Sequence, residues 1–97
     1  MKAIFIAYNQ AYNEEIVQVL DACGQRGYTK WEDIGGRGTN DGEPHLGNHA
    51  WPTQNHALLV MVPDEAVDTL MDALRRKDAA NAKLGLRAYV WNIAQSL

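Results

Sequence analysis

Apolar positions along the chain form short continuous runs and helical stripes, in an order that predicts four strands and two helices. The run from Ala3 to Tyr8 is rich in isoleucine and aromatic residues and is followed by polar ones, which is typical of a mostly buried strand. Next, Asn13 caps a predicted helix whose apolar residues recur at intervals of three and four. This stripe comprises Ile16, Val19, Leu20 and Cys23.

The rest of the chain adds three predicted strands and a second helix. The stretch Tyr28 to Ile34 is polar enough for a partly exposed strand, whereas His56 to Val62 is nearly continuous Leu, Val and Met and predicts a central one. Residues 63–65 then open a second helix. A polar connection from Asp78 to Lys83 leads to a last strand at about Leu86 to Ile93. The stripe of the second helix comprises Val67, Leu70, Met71 and Leu74.

The predicted order β-α-β-β-α-β favours one fold class. Two helices with four strands pack economically as an α+β, ferredoxin-like sandwich with an antiparallel sheet, and both helices then cover the same sheet face. The opposite face carries aromatic residues such as Tyr89 and Trp91. Because a bare aromatic face is unusual in a monomer, we expect oligomerisation to cover it.

A long loop separates the second and third strands. Residues 35–54 contain five of the eight glycines and two of the three prolines, with neither a helical nor an alternating apolar pattern. About 20 residues of loop is far above the usual connection length, and compact domains keep such loops mainly where they are used.

Length and charge narrow the possible functions. Residues 1–97 make one domain, and 46% apolar residues suffice for a real core. Nine basic against twelve acidic residues give a net charge of −3, which argues against general nucleic-acid binding. One cysteine, Cys23, and the lack of a secretory leader or a long apolar span predict a cytoplasmic protein that is not membrane-embedded.

The loop holds the densest cluster of chemically active side chains. Glu43, His45 and His49 offer a carboxylate and two imidazoles, which suit zinc or copper(II). The alternative interpretation is that both histidines form hydrogen bonds in an ordered surface loop. No nucleophile lies beside a suitable base, so the sequence does not predict an enzyme.

The start of the loop offers groups suited to an anion. Residues 35–40 combine glycine backbone N–H groups with the Arg37 guanidinium and the Thr39 hydroxyl. The alternative is that these glycines serve only a turn and that Arg37 points into solvent. The segment follows a strand but opens no helix, so it is not a dinucleotide fingerprint.

Several segments in order resemble the PII and CutA-like superfamily of small trimeric signalling proteins, and its PII branch in particular. The resemblance covers nearly the whole chain. It is carried by Asn13–Val17 leading to Gly24 and Gly27–Thr29, by Glu32, by Gly35–Gly38 opening the long loop, and by Val60–Val67 opening the second helix.

The resemblance implies a homotrimer whose sheets face inward and whose ligand clefts lie between subunits. It implies that an adenine nucleotide is the small-molecule effector and that residues 35–54 correspond to the PII T-loop, which engages a transporter or an enzyme. It places Arg37, Gly38, Thr39 and Arg87 where they can touch the effector. We therefore expect a PII-like regulatory protein. The alternative hypothesis is a CutA-like or PII-like protein that uses Glu43, His45 and His49 in metal homeostasis.

Overall fold

The computed structural model describes residues 1–97 and confirms the predicted α+β order. Short 3₁₀ turns precede both helices and the last strand, at Gln10–Tyr12, Asp64–Ala66 and Ala82–Leu84. The main elements are β1 (Lys2–Asn9), α1 (Asn13–Ala22), β2 (Thr29–Ile34), β3 (Asn55–Val62), α2 (Val67–Ala80) and β4 (Arg87–Asn92). No helix is long and apolar enough to cross a membrane.

The four strands form one antiparallel sheet in the order β2-β3-β1-β4. β1 and β3 are central and pair along their whole length, from Lys2 opposite Val62 to Asn9 opposite Asn55. This position explains why both strands are nearly continuous apolar runs. The polar β2 lies at one edge, as its composition predicts.

The hydrophobic core lies between one sheet face and the two helices. Ile4, Ile6 and Tyr8 alternate along β1 and are fully buried, as the period of two in a strand requires. They pack with the stripes of both helices, where Leu20 and Leu70 are fully buried. Each such aliphatic side chain contributes roughly 1.5–3 kcal/mol when it is buried.

The opposite sheet face is uncovered in the single chain. Strand register places Met61, Ala3 and Trp91 in one row across the sheet. In a nearby part of this face the rings of Phe5 and Trp31 lie 6.3 Å apart. Trp91 is 49% exposed. We call this surface the open sheet face; its large members are Phe5, Trp31, Met61, Tyr89 and Trp91.

The predicted N-terminal cap of α1 is wrong. Asn13 is the first helical residue, and Tyr12 occupies the cap position without a side-chain hydrogen bond. The Asn13 amide oxygen instead accepts a hydrogen bond from the Tyr8 hydroxyl. Asn9 caps the preceding 3₁₀ turn by accepting from the Ala11 N–H at 3.0 Å. The capping chemistry therefore acts one turn earlier in the chain than predicted.

The predicted polar connection from Asp78 to Lys83 also needs correction. α2 continues to Ala80, because alanine is the strongest helix former and nothing before Asn81 interrupts the helix. Asn81 then ends the helix and caps the next 3₁₀ turn, accepting from the Lys83 N–H at 3.0 Å. The connection is therefore a short, ordered turn.

A β-bulge turns the end of β2 toward the long loop. The pairing with β3 shifts register between Trp31 and Ile34, and Asp33 adopts a left-handed backbone conformation with φ of 55°. The Asp33 N–H donates to His56 Nδ1 at 3.3 Å, and the Gln54 side-chain amide donates to the Asp33 carbonyl at 3.2 Å. The bulge is thus held by Gln54, the last loop residue, and by His56 at the start of β3.

Candidate functional site

A polar cavity lies where the long loop meets the segment before β4. It is a cleft of about 380 Å³, and we refer to it as the cleft. Three parts of the chain build it: residues 38–45 of the loop, the C-terminal end of α2 with the following turn, and the first residues of β3 and β4. Its polar and charged lining residues are Thr39, Glu43, His45, Asn55, Asp78, Lys83 and Arg87.

The loop is closed on itself in two places. At its base, the Gly36 N–H donates to the His45 carbonyl at 2.9 Å, and the His45 N–H donates to the Gly36 carbonyl at 2.7 Å. Further out, the Gly47 N–H donates to the Thr53 carbonyl at 3.1 Å. We call residues 35–46 the loop base and residues 47–53 the loop tip. Only the loop base lines the cleft.

Arg87 joins the loop base to β4. Its Nε donates to the Gly38 carbonyl at 3.0 Å, and its Nη1 donates to the Leu86 carbonyl at 2.7 Å. Carbonyl oxygens carry only partial charge, so these two bonds do not neutralise the guanidinium. Arg87 also has no carboxylate partner in the chain. Arg87 can therefore pair with an anion in the cleft.

His45 and Asn55 form a second link between the loop base and the sheet. His45 Nδ1 lies 2.7 Å from Asn55 Oδ1. Glycines flank the pair on both sides. A Cβ on Gly36 would lie 2.8 Å from Asn55 Nδ2, and a Cβ on Gly85 would lie 3.0 Å from His45 Cε1. The backbone at both positions thus leaves space for the pair.

The charges around the cleft are nearly balanced. Lys83 and Arg87 supply two cations, while Glu43 and Asp78 supply two carboxylates. None of the four takes part in a salt bridge within the chain. The cations are therefore available to a ligand, and the carboxylates limit how much negative charge the cleft can accept.

The structure brings together three of the four residues predicted to bind an effector. Gly38, Thr39 and Arg87 all line the cleft. Arg37 lies instead in an adjacent groove of about 220 Å³, which Arg87 and Tyr89 also line and which opens toward the sheet face away from the helices. Arg87 therefore borders both cavities. The effector-binding role of all four residues stays a prediction.

The residues predicted to bind a metal are only partly brought together. Glu43 and His45 line the cleft, but His49 does not; it is exposed on the loop tip. Nowhere in the chain do three or more His, Cys, Asp or Glu side chains form a group that could hold a metal ion. The metal site therefore stays a prediction for which the single chain provides no ligand set.

Sequence reasoning missed several residues of the cleft. Lys83 and Gly85 lie in the turn before β4, and Asp78 lies in the last turn of α2. The sequence shows that this segment is polar. It does not show that these residues lie beside the loop, because about 40 residues separate them from it. Asn55 carried no local signal, because it resembles an ordinary residue at the start of a strand.

The sheet has four antiparallel strands with both helices on one face, which defines a ferredoxin-like fold. The cleft beside its long β2–β3 loop is the candidate ligand site. The family model described as nitrogen regulatory protein P-II matches residues 1–96. The chain therefore belongs to the P-II family. No curated protein sequence is significantly similar to it.

Solved structures share this fold at low sequence identity. CPII, a nitrogen regulatory PII-like protein from Thiomonas intermedia K12 bound to ADP, AMP and bicarbonate, has a TM-score of 0.78 and 22% identity, over 95% of this chain and 84% of CPII. The apo form of CPII has a TM-score of 0.73 and 21% identity, over 95% and 87% of the two chains. A Thermus thermophilus protein assigned a PII-like signaling role has a TM-score of 0.67 and 23% identity, over 95% and 84%.

Proposed function

We propose that this protein is a non-enzymatic, cytoplasmic regulator that binds an adenine nucleotide in the cleft and signals through the long loop to a partner protein. The observation that carries the proposal is the hydrogen bond from Arg87 Nε to the Gly38 carbonyl at 3.0 Å. One cationic side chain both lines the cleft and holds the loop base. Membership of the P-II family and the ADP and AMP bound to the similar CPII support the choice of ligand.

The cleft offers suitable partners for phosphate groups. Lys83 is exposed and unpaired, and Arg87 is half-buried with its charge uncompensated. Thr39 supplies a hydroxyl at the same wall. Arginine binds phosphate through two parallel hydrogen bonds, whereas lysine acts as a point charge. Together they provide two positive charges for the phosphates, while Glu43 and Asp78 line the same cleft with two negative ones.

A ligand in the cleft changes the hydrogen bonds of the loop. A phosphate oxygen carries more negative charge than a carbonyl oxygen and therefore competes with Gly38 for Arg87. When Arg87 turns to the phosphate, the loop base loses its link to β4. The ordering of the loop then reports the occupancy of the cleft, as in other order-to-disorder switches. A transporter or an enzyme is the class of partner that we propose for the loop.

The open sheet face supports a homotrimer as the functional state. An apolar surface that includes three half-exposed aromatic side chains favours burial against other copies of the same chain. Arg37 and Arg87 lie in the groove that leads from the cleft toward this face. Assembly therefore brings a neighbouring subunit close to the cleft.

Calorimetric titration with ADP, AMP and ATP tests the ligand assignment. We expect ADP to bind the wild-type protein, and Arg87→Ala and Lys83→Ala each to weaken binding by about tenfold, since hydrogen bonds to charged groups contribute about 1.5–3 kcal/mol. Arg76→Ala is the matched control, because Arg76 is an exposed cation on α2 that does not line the cleft. Absence of binding by all three nucleotides would refute the proposal.

A further inference from the structure

The His45–Asn55 pair has no role in the proposed use of Arg87 and Lys83. It lies in the same cleft, yet it supplies no fixed positive charge. The chain nevertheless holds it in a defined position: the His45 backbone is bonded to Gly36 in both directions, and its ring is bonded to Asn55. Asn55 itself is only 9% exposed.

The bond to Asn55 determines which ring nitrogen of His45 carries the proton. Asn55 Oδ1 is a carbonyl oxygen and can only accept a hydrogen bond. At 2.7 Å, His45 Nδ1 must therefore be the donor when the ring is neutral. In that tautomer Nε2 has a free lone pair and acts as an acceptor. His45 Nε2 forms no hydrogen bond within the chain.

The backbone is shaped around this pair on both sides. Gly85 has a left-handed φ of 57°, and a Cβ there would lie 3.0 Å from His45 Cε1, the carbon next to Nε2. On the other side, a Cβ on Gly36 would lie 2.8 Å from Asn55 Nδ2. Side chains at either position would displace the ring or its partner. The ring is thus held between Asn55 and Gly85, and His45 lines the cleft.

We propose that His45 Nε2 accepts a hydrogen bond from a ribose hydroxyl of the bound nucleotide, and that Asn55 is the positioning residue that sets the required tautomer. The inference rests on the proposed function. Lys83 and Arg87 line the same cleft and attract the phosphates. In a nucleotide the ribose is attached directly to the phosphates. A ribose hydroxyl can donate a hydrogen bond. His45 Nε2 can accept it, because the bond to Asn55 keeps the ring proton on Nδ1.

Two substitutions separate the acceptor from the structural link. His45→Asn places an amide near the position of Nδ1 and removes Nε2, whereas His45→Gln extends far enough to place an amide oxygen near Nε2. The probes are ADP, 2′-deoxy-ADP, 3′-deoxy-ADP and inosine diphosphate, titrated at about pH 8.5, where an ordinary imidazole is neutral. Thermal melts of each variant confirm that it is folded.

We expect His45→Asn to weaken ADP binding by about fivefold to tenfold and His45→Gln to restore part of the loss. For one deoxy analogue, wild type and His45→Asn should bind equally, because the hydroxyl is already missing. Inosine diphosphate lacks the amino group of adenine, so equal binding there instead would assign the contact to the base and overturn the proposal. Equal losses for all four probes would also overturn it.

Nitrogen NMR of the free protein tests the positioning role without any ligand. We expect His45 to carry its proton on Nδ1, and Asn55→Leu to shift the ring toward the opposite tautomer. A ring protonated on Nε2 in the wild-type protein would overturn the inference even if ADP binds. A wild-type protein that binds no nucleotide would refute the proposed function and this inference together, whereas ADP binding with a ring protonated on Nε2 would overturn this inference alone.

Discussion

Arg87 Nε donates to the Gly38 carbonyl across 49 positions of sequence, at a distance of 3.0 Å. This bond connects the start of β4 to the loop base, which His45 also links to the sheet through Asn55. This one makes the position of the loop base depend on a side chain in the cleft.

Replacing Arg87 by lysine is expected to loosen the loop base without unfolding the domain. Lysine keeps the charge, but its single terminal nitrogen replaces the separate Nε and Nη1 donors with which Arg87 reaches the Gly38 and Leu86 carbonyls. Loss of about 1 kcal/mol corresponds to roughly fivefold faster amide exchange in residues 38–42. Hydrogen exchange by mass spectrometry measures this, with Arg76→Lys as the control. Unchanged exchange in Arg87→Lys would show that the bond does not order the loop.

A methyl group at Gly85 is expected to cost stability. Gly85 has a φ of 57°, and its Cβ would lie 3.0 Å from His45 Cε1. The left-handed conformation alone costs a non-glycine residue about 1–2 kcal/mol. Gly27→Ala is the matched control, since nothing lies within 4 Å of a Cβ there and its φ is not left-handed. Urea denaturation should show a lower midpoint for Gly85→Ala alone; equal midpoints would contradict the crowding.

A charge on the open sheet face is expected to dissociate the proposed trimer. Trp91 is 49% exposed in the single chain, and Trp91→Lys places an ammonium group where an apolar interface is required. Sedimentation should give about 32 kDa for the wild type, three times the chain mass of 10.8 kDa, and a smaller mass for the variant. Gln18→Lys, on the exposed side of α1, should leave the mass unchanged. A wild-type monomer in dilute solution would refute the trimer.

The contribution of Tyr8 to stability is expected to fall at alkaline pH. Burial, aided by the nearby Tyr28 and Glu32, raises the pKa of Tyr8 well above its ordinary value of 10.0. A raised pKa in the folded state means that the stabilisation is complete below the unfolded pKa and is lost as pH rises above it. Tyr8→Phe also removes the hydrogen bond to Asn13.

Urea unfolding at pH 7 and near pH 11 measures this dependence. At pH 7 we expect Tyr8→Phe to be less stable than the wild type by about 1 kcal/mol. Above pH 10 the difference should shrink by up to about 1.4 kcal/mol per pH unit, because only the unfolded wild-type chain ionises. A difference that stays constant with pH would show that Tyr8 ionises equally in both states.

The fold was largely predictable because buried apolar residues recur along the sequence at the spacing of the helix or strand that carries them. Ile16, Val19 and Leu20 had to face a core at helical spacing, and the structure buries all three. The cap prediction for Asn13 was wrong because a capping side chain must accept a hydrogen bond from a backbone N–H of the helix. The Asn13 amide oxygen instead accepts one from the hydroxyl of Tyr8, which lies on β1. The length of α2 was underestimated because Asp78 reads as polar, although helices tolerate exposed polar residues freely.

The site was only partly predictable because it joins distant parts of the chain. Thr39 was identified from the anion-suited segment 35–40 and from the family resemblance, whereas Arg87 was identified through the resemblance alone. Asp78 and Asn55 enter the cleft because α2 ends beside the loop base and β3 begins beneath it. No periodic pattern in the sequence indicates that these residues lie close together. Their proximity follows from the order of the strands in the sheet.

The loop tip closes separately from the loop base, with Gly47 bonded to Thr53 and Asn48 to Trp51. The base keeps its own pair of bonds between Gly36 and His45. The loop tip is consequently a unit that closes independently of the loop base. We therefore expect that foreign sequence of a different length can be grafted between positions 47 and 53 while the loop base keeps its own hydrogen bonds and the cleft keeps its shape.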